Sequence, residues 1–157
     1  MQTITPCLWF DTEGEEAAQF YTSVFPSSKI VDIARYGSAG PRPEGSVMTV
    51  SFELNGKPFI ALNGGPDFTF NEAVSFEVLC EDQEEVDHYW ETLGEGGEEG
   101  PCGWLKDRFG FSWQVVPRQL FETIGGPDAQ GRARAMAAMM QMIKLDVAKL
   151  QAAYAGE

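Results

Sequence analysis

The sequence predicts an α+β protein built from two related βαβββ halves and a C-terminal helical tail. An internal repeat is the first sign of this. The run from Glu15 to Val24 aligns without a gap with the run from Glu84 to Leu93, and self-similarity at this scale marks a duplicated supersecondary unit. The second sign is the period-two alternation of apolar and polar residues around both copies, which is the signature of half-buried strands. Length is the third. At 157 residues with 43% hydrophobic and 12% aromatic side chains, the chain suits one domain with a real core and excludes global disorder. Module one is read over 1–66, module two over 72–118 and the tail over 119–157, all within a single domain.

In order along the chain, Thr3 to Phe10 alternates as a strand. Ala17, Phe20, Tyr21 and Val24 then fall at i, i+3, i+4 and i+7, an amphipathic helix with Glu15 and Glu16 in its first turn, where carboxylates complement the helix dipole. Strands follow over Lys29–Tyr36, Ser46–Leu54 and Pro58–Asn63, with Asn55-Gly56 as a hairpin turn between the last two. The second half repeats the plan. A strand over Val74–Cys80 precedes a helix presenting Val86, Tyr89, Trp90 and Leu93. A weak strand near Glu98, one over Gly103–Lys106 and one over Phe111–Val116 come after it, the last introduced by the turn Asp107-Arg108-Phe109-Gly110. Gly125-Gly126-Pro127 breaks the chain, and Asp128 caps a helix carrying Met136, Met139, Met140 and Ile143. A further helix presents Val147, Leu150 and Tyr154. The methionine stripe must bury itself on its own domain or on a partner subunit.

Charge and composition narrow the function. Eleven Lys and Arg against 24 Asp and Glu give a net charge of −13, which repels nucleic acid and anionic membrane alike. No apolar run approaches the roughly 20 residues a membrane span needs, and Met1 to Glu16 lacks the basic start of a secretory signal. Cys7, Cys80 and Cys102 are an odd set without a CxxC pair, so a disulfide framework is not expected and a cytoplasmic location is. His88 is the only histidine, which removes multi-histidine zinc or iron sites. The Gly94-Glu95-Gly96-Gly97 run follows a helix instead of linking a strand to one, so it reads as a helix stop and not as a dinucleotide-type turn. No GxxxxGK[ST] motif occurs.

Strand alternation divides the side chains into two faces. Ile4, Leu8, Phe10, Val50, Phe52, Leu54, Phe76, Val78, Trp113 and Val115 form an apolar set, assigned to the helix side. Thr3, Thr5, Cys7, Trp9, Ser51, Glu53, Ser75, Glu77, Ser112 and Gln114, with Asn63 at a strand end, form a mixed set on the opposite side. That side is either solvated or the wall of a ligand pocket. Glu53 and Glu77 would form a carboxylate pair if their strands adjoin. Asn63 and Gln114 either orient a ligand or satisfy strand-end backbone.

The segments Phe68-Thr69-Phe70-Asn71-Glu72-Ala73-Val74-Ser75-Phe76, Cys80-Glu81-Asp82-Gln83, Val86-Asp87-His88-Tyr89-Trp90 and Cys102-Gly103-Trp104-Leu105-Lys106-Asp107-Arg108-Phe109-Gly110-Phe111-Ser112-Trp113-Gln114 resemble the PhnB-like, "3-demethylubiquinone-9 3-methyltransferase-like" family. That family belongs to the vicinal oxygen chelate superfamily of glyoxalase I, bleomycin-resistance and extradiol dioxygenase proteins. The resemblance is read over nearly the whole chain, the methionine-rich tail included. It implies a curved, mostly antiparallel sheet of paired modules around a cavity, in a homodimer. Positions similar to the superfamily's metal ligands are Thr5, Asn63, Ser75 and Gln114, all neutral. The expectation is therefore a metal-free cavity, with no cofactor, that binds a small organic ligand. Asn63, Ser75, Glu77 and Gln114 would orient it, and Trp9, Trp104 and Phe70 would give apolar or stacking surface unless they serve as core or loop anchors. The alternatives are a lyase, isomerase or dioxygenase using a divalent metal on Glu77 with Glu53 or Asn63, and a methyltransferase, for which no S-adenosylmethionine motif is found. Catalytic residues and enzymatic activity are left open.

Overall fold

The computed structural model describes residues 3–157. The chain divides into two compact units, one ending at Phe70 and the other running from Asn71 to Glu157. The first contains β1 (Cys7–Phe10), α1 (Gly14–Val24), β2 (Lys29–Arg35), β3 (Val47–Leu54) and β4 (Lys57–Asn63). Its four strands run in the order β1-β4-β3-β2, with β1 parallel to β4 and the other pairs antiparallel. The second repeats this with β5 (Ser75–Cys80), α2 (Gln83–Gly94), β6 (Glu98–Glu99), β7 (Trp104–Lys106) and β8 (Ser112–Pro117), ordered β5-β8-β7-β6 with β5 parallel to β8. The tail supplies α3 (Gln119–Ile124), α4 (Ala129–Met139) and α5 (Val147–Ala155). Each sheet is thus mostly antiparallel, and the duplicated βαβββ plan holds.

In the first unit α1 packs on β3 and β4. It buries Gly14, Ala17, Ala18, Tyr21 and Val24 over Leu8, Phe10, Val50, Phe52, Leu54 and Ala61. Phe20, expected on this face, is only half-buried, and Ala18 takes its place. The hairpin at Asn55-Gly56 has positive φ at both residues, 50° and 76°, the geometry of a type I′ turn. The first strand is shorter than its alternation suggests. Pro6 has no N–H for a ladder, so pairing begins at Cys7, and Ile4, assigned to the core face, is 96% exposed.

In the second unit α2 is capped by Asp82, whose carboxylate accepts from the Glu85 N–H, and it buries Val86, Trp90 and Leu93 against β7 and β8. The glycine run does end this helix: the Gly97 N–H donates to the Gly94 carbonyl, and Gly96 has φ +73°.

The tail corrects an expectation. Its burial on the second unit comes from Leu145 and Leu150, which with Val116 and Leu120 make a separate small core against which Met139 and Met142 pack. Met136, Met140 and Ile143 remain exposed, and α3 fills a stretch just before the break at Gly125 to which the sequence pattern assigns no element. The tail is locked to its unit by backbone bonds from Cys102 N–H to Met142 O and Gly103 N–H to Ile143 O. Gln83 adds to this, donating to Leu145 O and accepting from Val147 N–H.

Candidate functional site

Register determines which side chains share a face. Across the second sheet, Ser75 pairs with Ser112, Ser112 with Lys106 and Lys106 with Glu98, forming one cross-sheet row. Two residues further on, Glu77 pairs with Gln114 and Gln114 with Trp104, forming a second row on the same face. The other face carries Phe76, Val78, Leu105, Trp113 and Val115, which lie on the side α2 covers. The two polar rows therefore lie on the side away from α2. Further along this same side, the Val116 position is covered by the tail.

A cavity of about 370 Å³ opens on this side, lined by residues that include Glu72, Glu98, Pro101, Trp104, Lys106 and Ser112. Trp104 is half-buried and supplies an aromatic wall. Lys106 donates to the Glu72 carboxylate at 2.7 Å. The pair holds the Glu72 carboxyl below the usual carboxylate range, and it holds Lys106 above the usual lysine value. Beside them the Gln114 amide Nε2 donates to Ser75 Oγ at 2.9 Å. Ser112 is only 1% exposed, and its hydroxyl has no hydrogen-bond partner among the described residues. A buried hydroxyl without a partner is costly, and this one lines the cavity. Four expected residues, Ser75, Glu77, Trp104 and Gln114, therefore share one face. Ser112, Lys106, Glu72 and Glu98 join them without any motif in the sequence that marks them as ligand groups. The alternation of Ser112 with Trp113 was the available signal, because it sets that serine beside Gln114.

The other expected residues sit in the first unit and are engaged structurally. Asn63 pairs with Phe10 in the β1–β4 register, on the helix side and not with the mixed set. Its Oδ1 accepts from the Gly14 N–H at 2.8 Å, and its Nδ2 donates to Thr12 O and Val47 O, both at 3.2 Å. The approach requires a glycine at 14, since a Cβ there would lie 2.6 Å from Asn63 Oδ1. Trp9 Nε1 donates to Gly65 O at 2.8 Å, and its ring meets Phe68 edge-on at 4.9 Å. Phe70 meets the core ring Phe10 edge-on at 5.2 Å. Glu53 and Glu77 belong to different sheets, β3 pairing with β2 and β4 and β5 with β8, so the expected condition for a carboxylate pair is not met. Glu53 instead lies 3.6 Å from Lys29.

The donor chemistry does not fit a superfamily metal. Ser75 and Gln114 are a hydroxyl and an amide already bonded to each other, and neutral oxygens hold zinc- or iron-type ions weakly without imidazole, thiolate or carboxylate partners. Among the described residues no group of three or more His, Cys, Asp or Glu side chains is arranged to hold an ion.

Two four-stranded βαβββ sheets of this kind have the fold of the vicinal oxygen chelate superfamily. Residues 2–116 match the model of the 3-demethylubiquinone-9 3-methyltransferase family, and the chain belongs to that family. The PhnB protein of Bacillus cereus is 39% identical, with a TM-score of 0.66 over 74% of this chain and 99% of that one. Protein PA1353 of Pseudomonas aeruginosa is 20% identical, with a TM-score of 0.61 over 74% of this chain and 98% of that one. The fosfomycin resistance protein FosX of Listeria monocytogenes is 12% identical, with a TM-score of 0.51 over 84% and 98%. The last two are likenesses of fold. No curated protein matches. The family match stops at Val116, which corrects the expectation that the resemblance runs on through the tail. Among the described residues no helix is long and apolar enough to cross a membrane.

Proposed function

We propose that this chain binds a small organic ligand on the open face of its second sheet, using its own polar side chains and no metal. The observation that carries this reading is the Ser112 hydroxyl, buried and unpartnered in a cavity walled by Trp104. Ligand sites of this kind combine apolar surface with a few placed polar atoms. Here the cavity lining supplies the Ser112 hydroxyl, and the same sheet face adds the Ser75–Gln114 pair and the Glu77 carboxylate beside the cavity. Trp9, Asn63 and Phe70 take structural roles in this reading and are not needed as ligand contacts. The family's methyltransferase name supplies no reaction, since fold and family label do not place a reacting group.

A thermal-shift screen of small organic molecules tests the proposal, with hits measured again on Ser112→Ala and Gln114→Ala. Hits should stabilise the parent and lose most of their effect in both variants. Hits that bind both variants as well as the parent would place the site elsewhere.

A further inference from the structure

The face that carries the proposed ligand site is acidic. Glu98 and Glu77 occupy the same two rows as Ser112 and Trp104, and Glu72 lines the cavity with them. Lys106 is the one cation among the lining residues. Its ammonium is already held by Glu72 at 2.7 Å, and the nearby Glu98 charge supports it further. Glu99 reaches the rim from the opposite face and accepts the Trp90 Nε1–H at 2.9 Å. The lining residues thus bring three carboxylates against one ammonium, with Glu77 a fourth carboxylate alongside. An anionic ligand would meet net repulsion here, and a cationic one net attraction.

Carboxylates on a surface do not by themselves make a site. The buried, unpartnered Ser112 hydroxyl is the independent feature, and the half-buried Trp104 is a third, since an indole face attracts a cation as well as an apolar body. We infer that the ligand of this face is an organic cation: an ammonium on an apolar or aromatic body, the body lying along Trp104 and Pro101 and the N–H groups directed to Glu98 and the Ser112 hydroxyl. This rests on the reading of the face as a small-molecule site.

Three probes of one shape separate the possibilities: phenethylamine, phenethyl alcohol and 3-phenylpropionate, each titrated into isotope-labelled full-length protein and followed by the amide and indole resonances of Ser112 and Trp104. Phenethylamine should shift both residues and bind at least about threefold more tightly than the alcohol, with the carboxylate weakest. Glu98→Gln, an exposed position, should weaken the amine by roughly threefold to fivefold while leaving the alcohol unchanged. Lys106→Gln should strengthen the amine. Equal binding of amine and alcohol at Ser112 and Trp104, insensitive to Glu98→Gln, would overturn the cation assignment and leave the small-molecule site standing. Failure of all three probes to move either residue would overturn both.

Discussion

Asp107 anchors the turn that leads into β8. Its carboxylate, 2% exposed, accepts from the Phe109 and Phe111 N–H groups at 2.9 and 3.1 Å and from the Trp113 indole N–H at 2.8 Å. Asp107→Ala removes one acceptor from three donors and should cost about 3 kcal/mol or more, read as a lower denaturation midpoint with an unchanged slope. The turn chemistry of Asp107-Arg108-Phe109-Gly110 is legible in the sequence. The burial is not, because it depends on the Trp113 indole arriving from the following strand. Asn63 gives the same lesson. Its amide suits a ligand or a strand end equally until the parallel β1–β4 register sets it beside Phe10 on the helix side. Parallel register is carried by contacts between distant segments, and no local pattern encodes it.

At the scale of elements, the duplicated helices and the hairpin are read from the chain because their signals are local: spacing, acidic first turns and Asn-Gly. The tail misleads because methionines at helical spacing resemble a buried stripe, yet two leucines carry the burial. Leu145→Ala should therefore cost about 2–5 kcal/mol, whereas Met136→Ala, at an exposed position, should stay within about 0.5 kcal/mol. Chemical denaturation distinguishes the two. Acid should also loosen the tail. Lys144 lies 2.6 Å from Asp87, and this partner, with Gln83, holds the Asp87 carboxyl below its usual value. Asp146 is lowered by the Lys149 backbone N–H that it caps at the start of α5. A carboxyl depressed in the folded state gives stability that is complete above its unfolded pKa, near 3.9. That stability is lost as pH falls through the folded value. Protection of the α5 amides, measured against their intrinsic exchange rate at each pH, should fall below about pH 4, and Asp87→Asn should flatten that dependence.

At the scale of the whole molecule, the family match and the tail meet at one residue. Val116 closes the matched span and is itself covered by Leu145 and Leu150. The tail also clamps Cys102 and Gly103, just before Trp104, so it braces one wall of the proposed site from outside the family core. A chain cut after Gly126 should lose both thermal stability and ligand response, and unchanged values would remove the tail from that role. The most direct measurement is a calorimetric titration of a screening hit into protein stripped by exhaustive chelation, repeated after adding Zn²⁺ or Mn²⁺. Equal affinity in both, abolished by Ser112→Ala, is the expected result. Binding that disappears on chelation and returns with the ion would contradict the account.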